Sequence, residues 1–256
     1  ILISFLESIL TMSISLWLSL ATAFVTAIFA FLVLNDYRSK RRPHLLAWSI
    51  GLALYSAGAL AQALLFTDFA PFLFKLWYWA GAVVVATWLG QGTLFLLARH
   101  SRWAWLSFWT VLVLSLLSLP LVFGAGLNVA AYQPGVDLTE QFQAIFTATG
   151  LKKTLRVVLV IVMNTYGTLL LVGGAVYSAW IVWRKHLPTH WLWSNLLIAA
   201  GGLLPAMGGF LILLGSPTFK YIGQFLGGIL LFSGFLLASQ SSSHPLRQPA
   251  TAGKRI

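Results

Sequence analysis

The chain has 256 residues, of which 59% are hydrophobic and 8% charged, with a formal net charge of +11. A soluble domain carries roughly 25% charged residues, so no soluble fold of this size could cover so much apolar surface, and the surrounding solvent is mostly lipid. The basic residues fall in short clusters between long apolar runs, a pattern of membrane topology and not of a nucleic-acid groove, and the lack of cysteine excludes a disulfide, a thiol nucleophile or a thiolate-bound metal.

A bilayer-spanning helix needs about 20 mostly apolar residues. Residues 1–11 are apolar around Glu7 and either extend the first helix or lie along the interface. The chain starts at Ile1 rather than Met, so its native start is expected upstream, and no basic segment or small-residue cleavage site marks a signal peptide. Seven spans are predicted in chain order, at 12–34, 44–66, 72–98, 103–124, 155–183, 190–214 and 219–239. Between the fourth and fifth lies one long loop, 125–154, containing VDLTEQFQAIF. There Asp137 and Glu140 have capping-box spacing, and Phe142, Ile145 and Phe146 share a face, so a short helix on the membrane surface is expected. It would act as a lid or partner contact, or simply tuck its apolar side onto the bundle. The tail 240–256 is polar, lacks an apolar repeat and reads as disordered. The expected fold is therefore all-α: one seven-helix transmembrane domain over 1–239 and a tail.

The charges predict a direction. Arg38, Lys40, Arg41, Arg42, Arg99, Arg102, Arg184, Lys185, Arg247, Lys254 and Arg255 lie on one side, and Lys75, Lys152, Lys153, Arg156 and Lys220 on the other. Positive residues stay cytoplasmic, which puts the N-terminus outside and the C-terminus inside, in a cell inner membrane. KRRPHLLAWS (40–49) and KHLPTHWLWS (185–194) match at Lys, Pro, Trp and Ser without a gap, and the same offset pairs Phe74-Lys75 with Phe219-Lys220. Two readings stand: a parallel 3+1+3 duplication, or helix starts that reuse Pro and Trp for local reasons.

The predicted membrane centre holds no Asp, Glu, Lys, Arg or His. Such groups mark proton paths, ion coupling and intramembrane catalysis, so a non-enzyme with no catalytic residues is expected. His186 and His190 are four apart, but Pro188 lies between them and further ligands are lacking, so no metal site is assigned. Uncharged polar groups remain inside the helices: Tyr55, Gln62, Thr87, Gln91, Asn164, Tyr166, Thr168, Tyr177, Asn195 and Gln224. Most tryptophans sit near helix ends as an aromatic belt. Trp88 differs, because it falls near mid-bilayer. Trp77, Gly81, Trp88 and Gln91 are spaced 4, 7 and 3 and so share one helical face. Trp77, Trp88, Gln91, Asn164 and Tyr166 are the candidate intrabundle face, either for packing alone or for a lipophilic cofactor such as a quinone, carotenoid or structural lipid. Gly223 and Gly227 form a GxxxG, and the sixth span should kink near Pro205.

Seven helices in a 3+1+3 order resemble the architecture of microbial rhodopsins and of SWEET-type sugar transporters. The rhodopsin resemblance would imply a retinal lysine in the middle of the last helix, but that region reads QFLGGILLFSG and Lys220 lies at its end, so no retinal Schiff base is expected. The transporter resemblance would imply prolines in the first helix of each triplet, and spans one and five have none. The run LWYWAGAVVVATWLGQG is similar to that of uncharacterised bacterial seven-helix membrane proteins, a likeness that brings no activity with it. Three functions compete: a non-enzymatic integral subunit docked to other membrane proteins, respiratory or photosynthetic in type, a sensor or receptor module, and a facilitator for a small neutral solute.

Overall fold

A computed structural model describes residues 2–98, 101–147, 149–208 and 218–240, with the backbone only for 2–11 and 240. Among these residues the chain is mostly helical and forms no strand, only an isolated antiparallel bridge between Leu127 and Phe146. The helices are α1 (Leu2–Lys40), α2 (Pro43–Leu64), α3 (Pro71–Leu97), α4 (Arg102–Phe123), α5 (Leu138–Ile145), α6 (Gly150–Arg184), α7 (Thr189–Ala206) and α8 (Thr218–Gln240). Six helices are long and apolar enough to cross a membrane: α1, α2, α3, α4, α6 and α8. The chain is thus a multi-pass membrane protein. Residues 2–11 continue α1 as helix.

One expectation is described only in part, and a second needs correction. The sixth predicted span, 190–214, is described only as far as residue 208. Its helix α7 ends at Ala206, next to the Pro205 expected to kink the span, and Gly208 is helical again after the turn at Met207. Pro205 offers no backbone N–H, so a break in the helix beside it is expected. The remainder of that span and the tail expected to be disordered lie outside the described residues. Secondly, α3 and α6 are not uniform α-helices. Trp77–Val84 in α3 and Leu169–Gly173 in α6 are π-helical, with wider i→i+5 turns.

Six helices close a ring in the order α1, α2, α3, α6, α7, α8, and α4 packs from outside against α3 and α6. Lipid supplies no hydrophobic drive between helices, so close approach and hydrogen bonds must hold them. Small residues provide the approach. A Cβ at Gly167 of α6 would stand 2.2 Å from the Ala86 carbonyl carbon of α3, and one at Gly227 of α8 would stand 2.8 Å from the Gly201 oxygen of α7. Only glycine permits those crossings. The outer helix α4 turns Trp103, Trp109, Leu116 and Leu117 outward, as a lipid-facing helix should.

The residues matched by the internal repeat have different surroundings. Lys75 donates to the Phe123 carbonyl at the end of α4 (2.8 Å), a cation at a helix C-terminus. Lys220 instead joins a buried ion pair with Asp137.

Candidate functional site

A cavity of about 190 Å³ lies between α2, α3, α6, α7 and α8, beneath α5. Its walls are mainly apolar, from Ala59, Val85, Leu171, Pro205 and Leu231. Gly81 lines it with nothing within 4 Å of where a Cβ would sit. The polar wall is a relay through four helices. Trp77 Nε1 of α3 donates to Gln62 Oε1 of α2 at 2.9 Å. Gln62 Nε2 donates to Ser19 Oγ of α1 (3.0 Å) and to Gln224 Oε1 of α8 (3.1 Å). The Tyr55 hydroxyl donates to the Gln224 backbone carbonyl at 2.8 Å. Across on α6, Asn164 Nδ2 donates to the carbonyls of Ala82 (2.5 Å) and Val160 (3.0 Å). Gln62 is fully buried and every terminal atom it has is used. In contrast, the second terminal atom of Gln224 and the oxygen of Asn164 have no protein partner among the described residues, and both side chains line the cavity.

Over this cavity lies α5. Asp137 is its N-cap, accepting from the Thr139 backbone N–H at 2.7 Å, while Leu138, Gln141 and Ile145 are buried beneath it. Thr139 lines the cavity itself. Gln141 secures the preceding loop by donating to the carbonyls of Gln133 (3.1 Å) and Val136 (2.7 Å). Lys220 Nζ, in the first turn of α8, donates to both Asp137 oxygens at 2.7 Å, and the Tyr221 hydroxyl donates to the same carboxylate at 2.5 Å. Lys220 and Asp137 are each almost wholly buried. Burial alone would push the Asp137 carboxyl up, but the Lys220 charge and the hydrogen bonds from Lys220, Thr139 and Tyr221 together outweigh it and hold it below the usual carboxylate range. On the far side of α5, the buried Arg156 guanidinium lies 3.8 Å over the Phe146 ring. The expected short helix is therefore present, and ionic and aromatic contacts hold it down.

The candidate face predicted from spacing divides into two places. Trp77 and Asn164 line the cavity, with Gly81 between them on α3. Trp88 and Gln91 are buried, but they face α4 and α6. Trp88 Nε1 donates to Ser115 Oγ at 3.2 Å and its ring meets Phe108 edge-on. Gln91 Nε2 donates to the Ala104 carbonyl at 3.0 Å, and Gln91 Oε1 accepts from Ser107 (2.9 Å) and Tyr166 (2.5 Å). The π-helical stretch accounts for the division. One residue inserted into a helix of 3.6 residues per turn rotates everything beyond it by about 100°, so Trp77 and Trp88 no longer share a face. Tyr166 and Ser107 instead line a groove of about 320 Å³ between α4 and α6, whose rim residues Trp103 and Leu106 are exposed to lipid.

Spacing missed Gln62, Tyr55 and Gln224 as members of one site, although each stands out as a polar residue in an apolar helix. Asp137 and Lys220 were noticed only as a cap and as a helix start. Their pairing joins positions 83 residues apart, and no local pattern carries it. No protein-family model, curated protein or solved structure matches this chain.

Proposed function

We propose that this chain is a non-enzymatic seven-helix protein of the inner membrane that holds a small neutral lipophile, serving as an integral subunit of a larger membrane complex. The observation that carries the reading is the cavity of about 190 Å³ with two amide groups left open inside it. Asn164 and Gln224 are half-buried, and a bound molecule that hydrogen-bonds their open ends gains affinity in an otherwise apolar cavity. Cavities of about 150 Å³ hold benzene, so this one takes a ring-sized molecule or the head of a quinone. A carotenoid polyene would have to lie outside it. The seventh crossing would comprise α7 and the residues after it. The 11 basic residues on the α1–α2 side against 5 on the α5 side favour an outside N-terminus and a cytoplasmic C-terminus. In that orientation α5 would cover the cavity from the outer face.

Native mass spectrometry of the gently extracted protein tests this reading. A retained small mass, absent from Leu171→Trp with its filled cavity, together with stoichiometric partners, is expected. A bare monomer in both forms would overturn it.

A second reading, a facilitator for a small neutral solute, draws on a smaller apolar cavity towards the basic end, bounded by Phe29, Trp48 and Phe235. Leu89, Leu171 and Leu231 line both cavities, so a path along the bundle axis would pass these leucines. Solute uptake into liposomes that is lost in Leu171→Trp would favour this reading over the first.

A further inference from the structure

The two open groups in the cavity can be told apart by what their neighbours are able to do. An indole N–H only donates, so the Gln62 atom that Trp77 meets is the carbonyl oxygen. Gln62 must then turn its NH₂ towards Ser19 and Gln224. The Gln224 atom receiving that N–H is therefore oxygen, and its open end is NH₂, a donor. On α6, the Asn164 amide meets two backbone carbonyls, which only accept. Nitrogen faces them and the open end is oxygen, an acceptor. Amide orientation is thus set by the network, from a donor-only group at one wall and acceptor-only groups at the other.

The rest of the lining limits the ligand further. No charged side chain lines the cavity, so an ion would enter without compensation and at high cost. The Tyr55 hydroxyl already uses its proton on the Gln224 backbone. Val85, Leu171, Pro205 and Leu231 leave the remaining surface apolar. We infer that the site takes an uncharged, ring-sized molecule that accepts a hydrogen bond from Gln224 Nε2 and donates one to Asn164 Oδ1, the class of small aromatic or alicyclic amides. This rests on the ligand-holding reading above.

The full-length protein in mild detergent is titrated with benzamide and with toluene, molecules of similar size. The saturable shift of the Trp77 indole N–H resonance, assigned through Trp77→Phe, reports occupancy. Benzamide should bind about tenfold more tightly than toluene. Gln224→Met and Asn164→Leu should each reduce that preference several-fold while toluene still binds, which also shows that the variants are folded. Equal binding of the two probes, or a benzamide preference unchanged in both variants, overturns the inference and leaves the ligand-holding reading intact. If neither probe shifts the resonance, the ligand-holding reading itself fails.

Discussion

Replacing Lys220 by Met should loosen α5 much more than the loss of a surface ion pair would. Both partners are almost fully buried, and Nζ reaches both carboxylate oxygens at 2.7 Å. Exposed pairs are worth about 0–1 kcal/mol, whereas removing one partner of a buried pair costs about 3–5 kcal/mol because the other charge is stranded. Tyr221 and Thr139 would still donate to Asp137, so the lower figure, about 3 kcal/mol, applies. Each 1.4 kcal/mol is about a factor of ten, so hydrogen-exchange protection across residues 138–146 should fall roughly a hundredfold. The double variant Asp137→Asn, Lys220→Met should lose less than Lys220→Met alone, since no charge remains stranded. A change under about fivefold in Lys220→Met, or simple additivity in the double variant, would refute the assignment of this pair as the fastening of α5. The pair should also be acid-labile. The folded pKa of Asp137 lies below the unfolded value of about 3.9. Its contribution is therefore complete above that value and is lost as the pH falls through the depressed folded pKa. Protection of α5, corrected for intrinsic exchange, should hold from neutral pH to about 4, decline below it, and show no such decline in Asp137→Asn.

Other substitutions separate packing from cavity. Gly167→Ala would place a methyl 2.2 Å from the Ala86 backbone, and overpacking of this kind costs about 1–3 kcal/mol, read as a lower midpoint of thermal unfolding in detergent. Gly81→Ala meets nothing within 4 Å, so it should leave that midpoint unchanged or slightly raised, while weakening ligand retention by adding bulk at the cavity wall. Gln91→Leu would remove the bonds from Gln91 to the Ala104 carbonyl and to the Ser107 and Tyr166 hydroxyls, leaving the two hydroxyls bonded only to each other. A loss of about 1–3 kcal/mol is expected in the same melt, with no effect on retention, because Gln91 does not line the cavity.

Hydropathy made most of the architecture legible, because apolar runs such as those of α1 and α8 exceed what any soluble helix of this composition would carry. The loop helix was legible too: Asp137 at its cap and the shared face of Phe142, Ile145 and Phe146 are local signals. Phase was less legible. Trp77 and Asn164 were placed in the bundle and line its cavity, yet Trp88 and Gln91 turn to α4 because the widened turn over Trp77–Val84 breaks the 3.6-residue count. Nothing in WYWAGAVV announces that turn, since its residues suit either helix. The relay from Trp77 through Gln62 to Gln224 was beyond reach for a different reason. It depends on which helices become neighbours around the ring, and amides at positions 62 and 224 meet only once α2 and α8 are side by side.

The widened turn in α3 means that hydropathy and surface chemistry are written in separate registers along one helix. A chain lacking one residue between Trp77 and Val84 would have nearly the same apolar profile and the same count of crossings. Its lower half would nonetheless be rotated by about 100°, offering Trp88 and Gln91 to a different neighbour and removing their bonds to Ser107, Ser115 and Tyr166. Two proteins could thus agree in every predicted span and differ in what they bind. For this fold, insertions and deletions inside α3 weigh more than substitutions of one apolar residue for another.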